Sequence, residues 1–555
     1  MIRRLPLLLV CALAACGDSS PGALLPLPLP PPLPDPDAKL CAPGAPALEY
    51  SGSVTTADAK TYYLQPFTVV PGTGRVEMAY GWTDRPGLPS TPLTATTLDL
   101  GLWDNDGYRT VEGFRGWSGS RQGRIDRDQA PVFVEAATAE RSYVPGPIEP
   151  GIWHAELGFA AIAPQGADWT LRIECKPGGA NGTAVNDPVD ANHVARVVPG
   201  WYHGDFHMHG FHSQPDGPGA EDFIAQSRAA QLDFLMVTDY VIGQHWRELG
   251  AMQRAHPDLL IWPGREVITY FGHVNTHGET PSVLEYRHGF EDVSIAEIQR
   301  LAKQDDALFQ VNHPTLFPPP LFSNLCRGCY FELGDEIDWD QVDTLEILTG
   351  PVLATADDLG LAVPLPLAIE QPFMATAILL WEDLLRRGHM ITAVSGSDSK
   401  GVESSEEEFI RKGYGSSTTA VYAENLSRAA LKDAIRAGHA YVRTRGVARS
   451  PALEFTASTA DGQTGIFGDT LLVDGLAPAT LTTTVTGGMG QLLTYYRNGL
   501  PALVVPVTAD PFTHEFALAT RDPLTEGPLG TFWRIETRDL QSRTAIGNPI
   551  FLKAR

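Results

Sequence analysis

Apolar positions change their spacing twice along this chain, and the changes divide it into three folded segments. From about residue 42 to 180 the period is two: "TLDLGLWDNDG" alternates Leu98, Leu100 and Leu102, and "WTLRIEC" alternates Trp169, Leu171 and Ile173. Successive side chains of a strand point to opposite faces, so this pattern predicts half-buried strands. Turn residues recur at short intervals with no long helical stretch between them, which predicts a β-sandwich over 41–180. The acidic "DNDG" at 104–107 reads as a turn, with a calcium loop as the other option. "VNDPVDAN" then reads as a linker.

From about 195 to 445 short apolar runs alternate with stretches of helical period. "GAEDFIAQSRAAQ" precedes "LDFLMVTD". Ser294 and Glu297 of "SIAEIQRLAKQ" form a capping box, and "ALFQVNHP" follows as a strand. "ATAILLWEDLLRR" ends at Gly388 before "MITAVSGSD", and "SRAALKDAIRA" ends at Gly438 before "AYVRT". Repeated β-α units of this size predict a parallel sheet or barrel, with its chemistry at the C-terminal ends of strands. Strands and turns return from about 446 to 555 ("ATLTTTVTG", "LLTYYRNG", "TFWRIETR") and predict a small C-terminal β-domain.

The N-terminus speaks for the compartment. "MIRRLPLLLVCALAAC" has a basic start and an apolar run too short to span a bilayer, so residues 1–15 read as an export signal. Leu13-Ala14-Ala15-Cys16 resembles a bacterial lipobox, which implies a lipid on Cys16. Gly17 in the next position implies outer-membrane retention in a Gram-negative cell. A soluble secreted protein is the other option. Residues 16–40 carry eight prolines between Pro21 and Pro36 and predict an extended spacer. Without Cys11 and Cys16, four cysteines remain. Cys41 and Cys175 are placed to fasten the ends of the first domain, and "CRGC" offers a local Cys326–Cys329 disulfide or half a zinc knuckle. A second CxxC is absent, which favours the disulfide.

The formal charge of −25 argues against a nucleic-acid partner, whose phosphates such a surface repels. It leaves a small anionic substrate open, because a bound divalent cation reverses the local field. Ten of the 15 histidines fall between His203 and His313. "WYHGDFHMHGFHS" holds four of them, and the strand period puts Asp205, His207 and His209 on one face. Successive strands then end in Asp239 ("FLMVTDY"), Glu266 ("IWPGREV", with His273 in "FGHVN"), His313 ("FQVNHP") and Asp398 ("ITAVSGSDSK"). Histidine with carboxylate suits manganese, iron or zinc. His245, His256, His277, His288 and His439 lack this setting and read as surface or structural.

These stretches, with "PGREV", "GHVN", "NHP" and "GSDS", resemble in order the motifs of the PHP (polymerase and histidinol phosphatase) superfamily, a distorted (β/α)7 barrel. "FRGWSGS", "SYVPGPIEPGIWHAELG" and "GNPIFL" resemble the CehA/McbA-type metallohydrolases, which carry a β-domain ahead of the barrel. The resemblance implies one metal on His207, His209, Glu266 and Asp398, and a second on Glu266, His273 and His313. A third metal of the family takes ligands at positions that read here as His212 or Asp216, Tyr240 and Lys400. The departure implies two divalent ions, with the Lys400 ammonium in place of the third; degeneration of the site is the rival explanation. The implied activity is hydrolysis of a phosphate mono- or diester by a metal-bridged hydroxide. Lys400 and Tyr240 would then stabilise the developing anion or protonate the leaving group, and Asp205 and Asp239 would orient imidazoles. Arg265 follows the strand period away from Glu266. Carbamate or carboxylic ester hydrolysis, and a surface-binding lipoprotein without turnover, are the alternatives.

Overall fold

The computed structural model describes residues 38–179, 182–213, 217–278, 284–320, 322, 324–359, 361 and 367–555. The export signal, Cys16, Asp216 and the linker up to residue 37 lie outside the described residues. The described residues pack as one compact unit.

The first segment is a sandwich. One sheet runs in the order Lys39–Cys41, Thr61–Val69, Gly151–Ala161, Thr97–Trp103, Phe114–Gly119, and the other in the order Leu48–Val54, Ala167–Pro177, Thr73–Asp84, Val132–Glu135. The alternating residues Leu98, Leu100, Leu102, Trp169, Leu171 and Ile173 all enter its core. The Cys41–Cys175 disulfide, with Cα atoms 5.6 Å apart, ties one sheet to the other. "DNDG" is a turn: Asp104 accepts from the Asp106 amide at 3.0 Å and from Arg115 Nη1 at 3.3 Å.

The reverse face of Thr97–Trp103 is buried as well, against the middle segment. Tyr270 Oη donates to Asp99 at 2.9 Å, while Trp103 Nε1 and Tyr286 Oη donate to Glu156 at 2.8 and 2.7 Å. Burial pushes both carboxyls up from their ordinary values. Trp103, Phe114 and Trp117 share a core with Val267, Val274 and Tyr286, and the Tyr62 ring stacks on Tyr270 at 5.0 Å. The sandwich is therefore docked on the middle segment through a buried aromatic layer.

In the middle segment the distorted (β/α)7 barrel expected from the resemblance is not seen as a closed ring. Among the described residues its strands form two open, mixed sheets. One runs Leu260–Pro263, Phe234–Val237, Gly200–Met208, Thr418–Ala423, Ala440–Arg443; the other runs Arg265–Thr269, Gly272–His277, Leu308–Val311, Thr344–Thr349, Thr392–Gly396. Both contain the expected parallel pairs. Arg265–Thr269 and Gly272–His277, however, are joined by two residues, too few for a crossover, so they pair antiparallel. Thr418–Ala423 also runs antiparallel to Gly200–Met208. The two sheets meet where Asp398 N donates to His207 O at 2.7 Å and His209 N to Ser399 O at 3.0 Å. Gly396 permits that approach, since a Cβ there would lie 2.4 Å from the Cβ of His207.

The helices begin and end where their caps predict. Ser294 accepts from the Glu297 amide, and Gly388 closes Pro372–Arg387 at φ 106°. The C-terminal strands do not stand apart: Arg543–Gly547 pairs with Ala440–Arg443, so the first middle sheet continues into Thr531–Arg538, Leu492–Arg497 and Leu500–Pro506. A further four-stranded sheet covers it, with Leu453, Phe455 and Leu481 in the shared core.

Candidate metal centre

The six ligand positions expected from the sequence converge at the junction of the two sheets. One ligand atom from each of His207, His209, Glu266 and Asp398 lies within 4.8 Å of the others, and Glu266, His273 and His313 form a second group on the same criterion. Glu266 belongs to both. It does not end a strand, as the sequence pattern predicts: Leu260–Pro263 ends before Gly264, and Glu266 is the second residue of Arg265–Thr269 in the other sheet. His313 and Asp398 both sit at positive φ, 28° and 50°. Side chains other than glycine rarely adopt that backbone, and such positions persist where surrounding structure holds them.

Each imidazole has one nitrogen committed as a donor. His207 Nδ1 faces Glu346 Oε2 at 3.1 Å. His209 Nδ1 faces Ser213 Oγ at 2.9 Å, and that hydroxyl gives its own proton to Asp239 at 2.6 Å, so it must accept from the imidazole. His273 Nε2 donates to Arg327 O at 2.8 Å, and His313 Nδ1 to Cys329 O at 3.1 Å. The remaining nitrogens face carboxylates, and carry lone pairs wherever the imidazole is neutral. His207 Nε2 lies 3.4 Å from Glu266, His209 Nε2 2.9 Å from Asp398, His273 Nδ1 3.1 Å and His313 Nε2 3.7 Å from Glu266. His207 Nε2 and His273 Nδ1 are buried without a hydrogen-bond partner. Acceptors facing acceptors in a buried site repel unless a proton or a metal cation lies between them, and neutral imidazole with carboxylate is a donor set for a divalent ion. The residues fit such an ion.

Electrostatics separate the two histidines of the His-x-His pair. Burial and the nearby Lys400 ammonium push His209 down to about 4. Burial also opposes charge on His207, but Glu346, Glu266 and Asp398 outweigh it and hold that imidazole well above its ordinary value. Glu266 and Asp398 are held well below theirs despite burial, the first chiefly by His207 and the second by Lys400.

Lys400 donates to the carboxylate of Asp398 and, at 2.8 Å, to its carbonyl. Tyr240 stands beside it, with the ammonium 5.5 Å from the ring centre and the His209 ring 4.3 Å away on centroids. Both line a cavity of about 160 Å³ over the centre, together with Trp117, Arg121, Arg327 and Glu266. Asp239 orients His209 through Ser213. Asp205 corrects its expected role: its carboxylate accepts from the amides of His207, Ser397 and Gly415 at 3.1, 2.9 and 2.9 Å, tying three backbone segments rather than an imidazole. His212 is engaged by Glu248 at 2.8 Å. Arg265 lies over the Trp246 ring at 4.7 Å. His245 and His277 are fully buried rather than at the surface, and His245 Nε2 bonds Gly264 O at 2.7 Å. Cys326 and Cys329 are disulfide-bonded, and their sulfurs also form a group of potential ligands with His273.

Sequence reasoning missed Glu346. Its Oε2 accepts from both His207 Nδ1 and the His313 amide, the latter at 3.0 Å, and it forms a further group of potential ligands with those two histidines. The available signal was one carboxylate inside the apolar strand Thr344–Thr349, every residue of which is buried.

No family model matches this chain, and no curated protein matches it. Among solved structures it is similar to a two-domain protein from Bacteroides vulgatus described as containing a predicted PHP-like metal-dependent phosphoesterase. The two are 14% identical with a TM-score of 0.34, over 67% of this chain and 100% of that one. So distant a likeness fixes neither fold nor activity.

Proposed function

We propose that this chain is a metal-dependent hydrolase of the PHP type, acting on phosphate esters with two divalent ions at the junction of its sheets. The observation that carries the proposal is the set of four buried imidazoles, each with one nitrogen locked as a donor and the other turned onto Glu266 or Asp398. His207, His209, Glu266 and Asp398 would hold one ion, and Glu266, His273 and His313 the other. When bound there, such ions supply Lewis acidity and a nucleophilic hydroxide at neutral pH.

The chain's own groups supply the rest. Glu346, and Asp239 through Ser213, keep His207 and His209 in one tautomer and one orientation. Lys400 keeps a positive charge at Nζ beside the position where negative charge develops on the ester. Tyr240 Oη accepts from Arg121 at 3.1 Å, which leaves its own proton free for the leaving group. Trp117 and the Cys326–Cys329 loop wall the cavity and limit bulk water. The proposal includes export, with the folded part held off an outer membrane by a lipid on Cys16 and the proline-rich spacer; Cys16→Ala should release the protein or leave its leader uncleaved.

The deciding experiment is hydrolysis of chromogenic phosphomonoesters, phosphodiesters and carboxylic esters by chelated and manganese-reloaded protein. Phosphate ester turnover that disappears with the metal and returns with it supports the reading. Turnover confined to carboxylic or carbamate esters would shift the substrate class, and no turnover after verified reloading would leave a binding protein.

A further inference from the structure

The cavity over the centre has a wall from outside the middle segment. The strand Phe114–Gly119 ends at Gly119, whose φ is 57°; a Cβ there would lie 3.0 Å from the Trp117 ring. Tyr80 Oη donates to Gly119 O at 2.8 Å and Ser118 Oγ bonds Tyr143 Oη at 3.1 Å, so the turn is held from within the sandwich. It sends Arg121 over the centre. Arg121 Nη1 donates to Ser213 O at 3.0 Å and Nη2 to Tyr240 Oη at 3.1 Å, with the guanidinium 4.9 Å from the Tyr240 ring centre. Both acceptors are uncharged, and a guanidinium has further N–H donors to offer.

Arg327, from the disulfide-closed loop, and Lys400 line the same cavity. Among the described residues neither Arg121 nor Arg327 is in ion-pair contact with a carboxylate; Asp398 and Glu266 act on Arg121, and Asp99 on Arg327, only through space. Of the carboxylates in the same space, Asp398 holds Lys400 and Glu266 faces the histidines, so the two guanidiniums keep donors for a further anion. We propose that Arg121, Arg327 and Lys400 form a cradle for the non-bridging oxygens of a phosphomonoester dianion, and that the N-terminal sandwich thereby contributes a substrate-binding residue. The choice of substrate rests on the hydrolase reading; the cradle does not.

The alternatives match the wall less well. A neutral carboxylic or carbamate ester offers one carbonyl oxygen and leaves cations unmatched in a confined site, whereas planar guanidinium suits the paired oxygens of phosphate. The cavity, about 160 Å³, is also well below the roughly 300–1,000 Å³ of sites that enclose a drug-sized ligand. It admits a head group and leaves the rest of the ester outside. A diester would have to bring a second arm into the same space.

Calorimetric titration of inorganic phosphate into the full, metal-loaded chain tests this, alongside KM and kcat for p-nitrophenyl phosphate. Arg121→Leu should weaken phosphate binding roughly 10–100-fold and raise KM, with metal content and melting temperature at parent values. Arg121→Lys should recover part of the loss, and Arg327→Leu should behave like Arg121→Leu. A parent that binds no phosphate, or an Arg121→Leu chain that binds it with parent affinity, overturns the cradle. Arg121-dependent phosphate binding in a chain that turns over no ester would support the cradle and remove the hydrolase reading. Phosphate ester turnover at unchanged KM in Arg121→Leu would do the reverse.

Discussion

The two halves of the proposed metal centre share Glu266 and differ in what holds their histidines. In one half, His207 donates to the Glu346 carboxylate and His209 to a serine that is itself bound to Asp239. Those partners are buried side chains on or beside sheet strands. In the other half, His273 and His313 donate to main-chain carbonyls of Arg327 and Cys329, in a loop closed by a disulfide between cysteines three positions apart. A carboxylate raises the basicity of its imidazole more than a neutral carbonyl does, and a strand holds a side chain more firmly than a loop. The half built on His207 and His209 is thus the tighter one, and the other depends on a short loop keeping its shape.

Glu266→Gln should have the largest effect, because it removes the charge both halves use. Elemental analysis should find both ions lost, and turnover should fall roughly 10³-fold or more. Retention of either ion at the parent level would show that the halves do not share it. Lys400→Ala should slow turnover roughly 100-fold with little loss of metal, since its ammonium touches only Asp398 among the ligands. Tyr240→His with Lys400→His should raise the count from two ions toward three; three in the parent would contradict the role given to Lys400.

Next comes a matched pair that tests the asymmetry directly. Glu346→Ala should weaken the His207-side ion roughly 10–100-fold, whereas Cys326→Ser with Cys329→Ser should weaken the other ion about tenfold. A chelator competition that resolves the two sites reads both. The double cysteine variant should hardly move the melting temperature, because a bridge over so short a loop removes little entropy from the unfolded chain. Equal losses at both sites in either variant would erase the distinction. The smallest effect belongs to Ser213→Ala, about fivefold on the His207-side ion, the worth of one hydrogen bond near 1 kcal/mol.

Local pattern carried much of this. The inward residues of "WTLRIEC", the Ser294 cap and the Gly388 stop were legible because each depends on neighbours within a few positions. The six ligand positions were legible because each is a polar interruption at or near the end of an apolar run. Glu346 was not, since a single carboxylate in "TLEILT" has the spacing of a solvent-facing strand residue, and only the second layer of packing buries it. Asp205 was read as a partner of imidazoles because it shares their strand face, yet three amides from separated segments claim it.

Residue spacing by itself determined the changes of side-chain period, the Ser294 and Gly388 helix limits and the chemistry of the donor set, all of which follow from side-chain period and residue type. Tertiary structure decided the rest. It determined how the two sheets meet, because pairing between strands far apart in the chain is not encoded in the period of any one strand. It locked the tautomers, because the acceptors at Glu346, at Ser213 and in the Arg327–Cys329 loop come from three different places in the chain. It also brought Arg121 to Tyr240, 119 positions away, because that contact depends on how the buried Trp103–Phe114–Trp117 face docks, and no local period encodes a docking face.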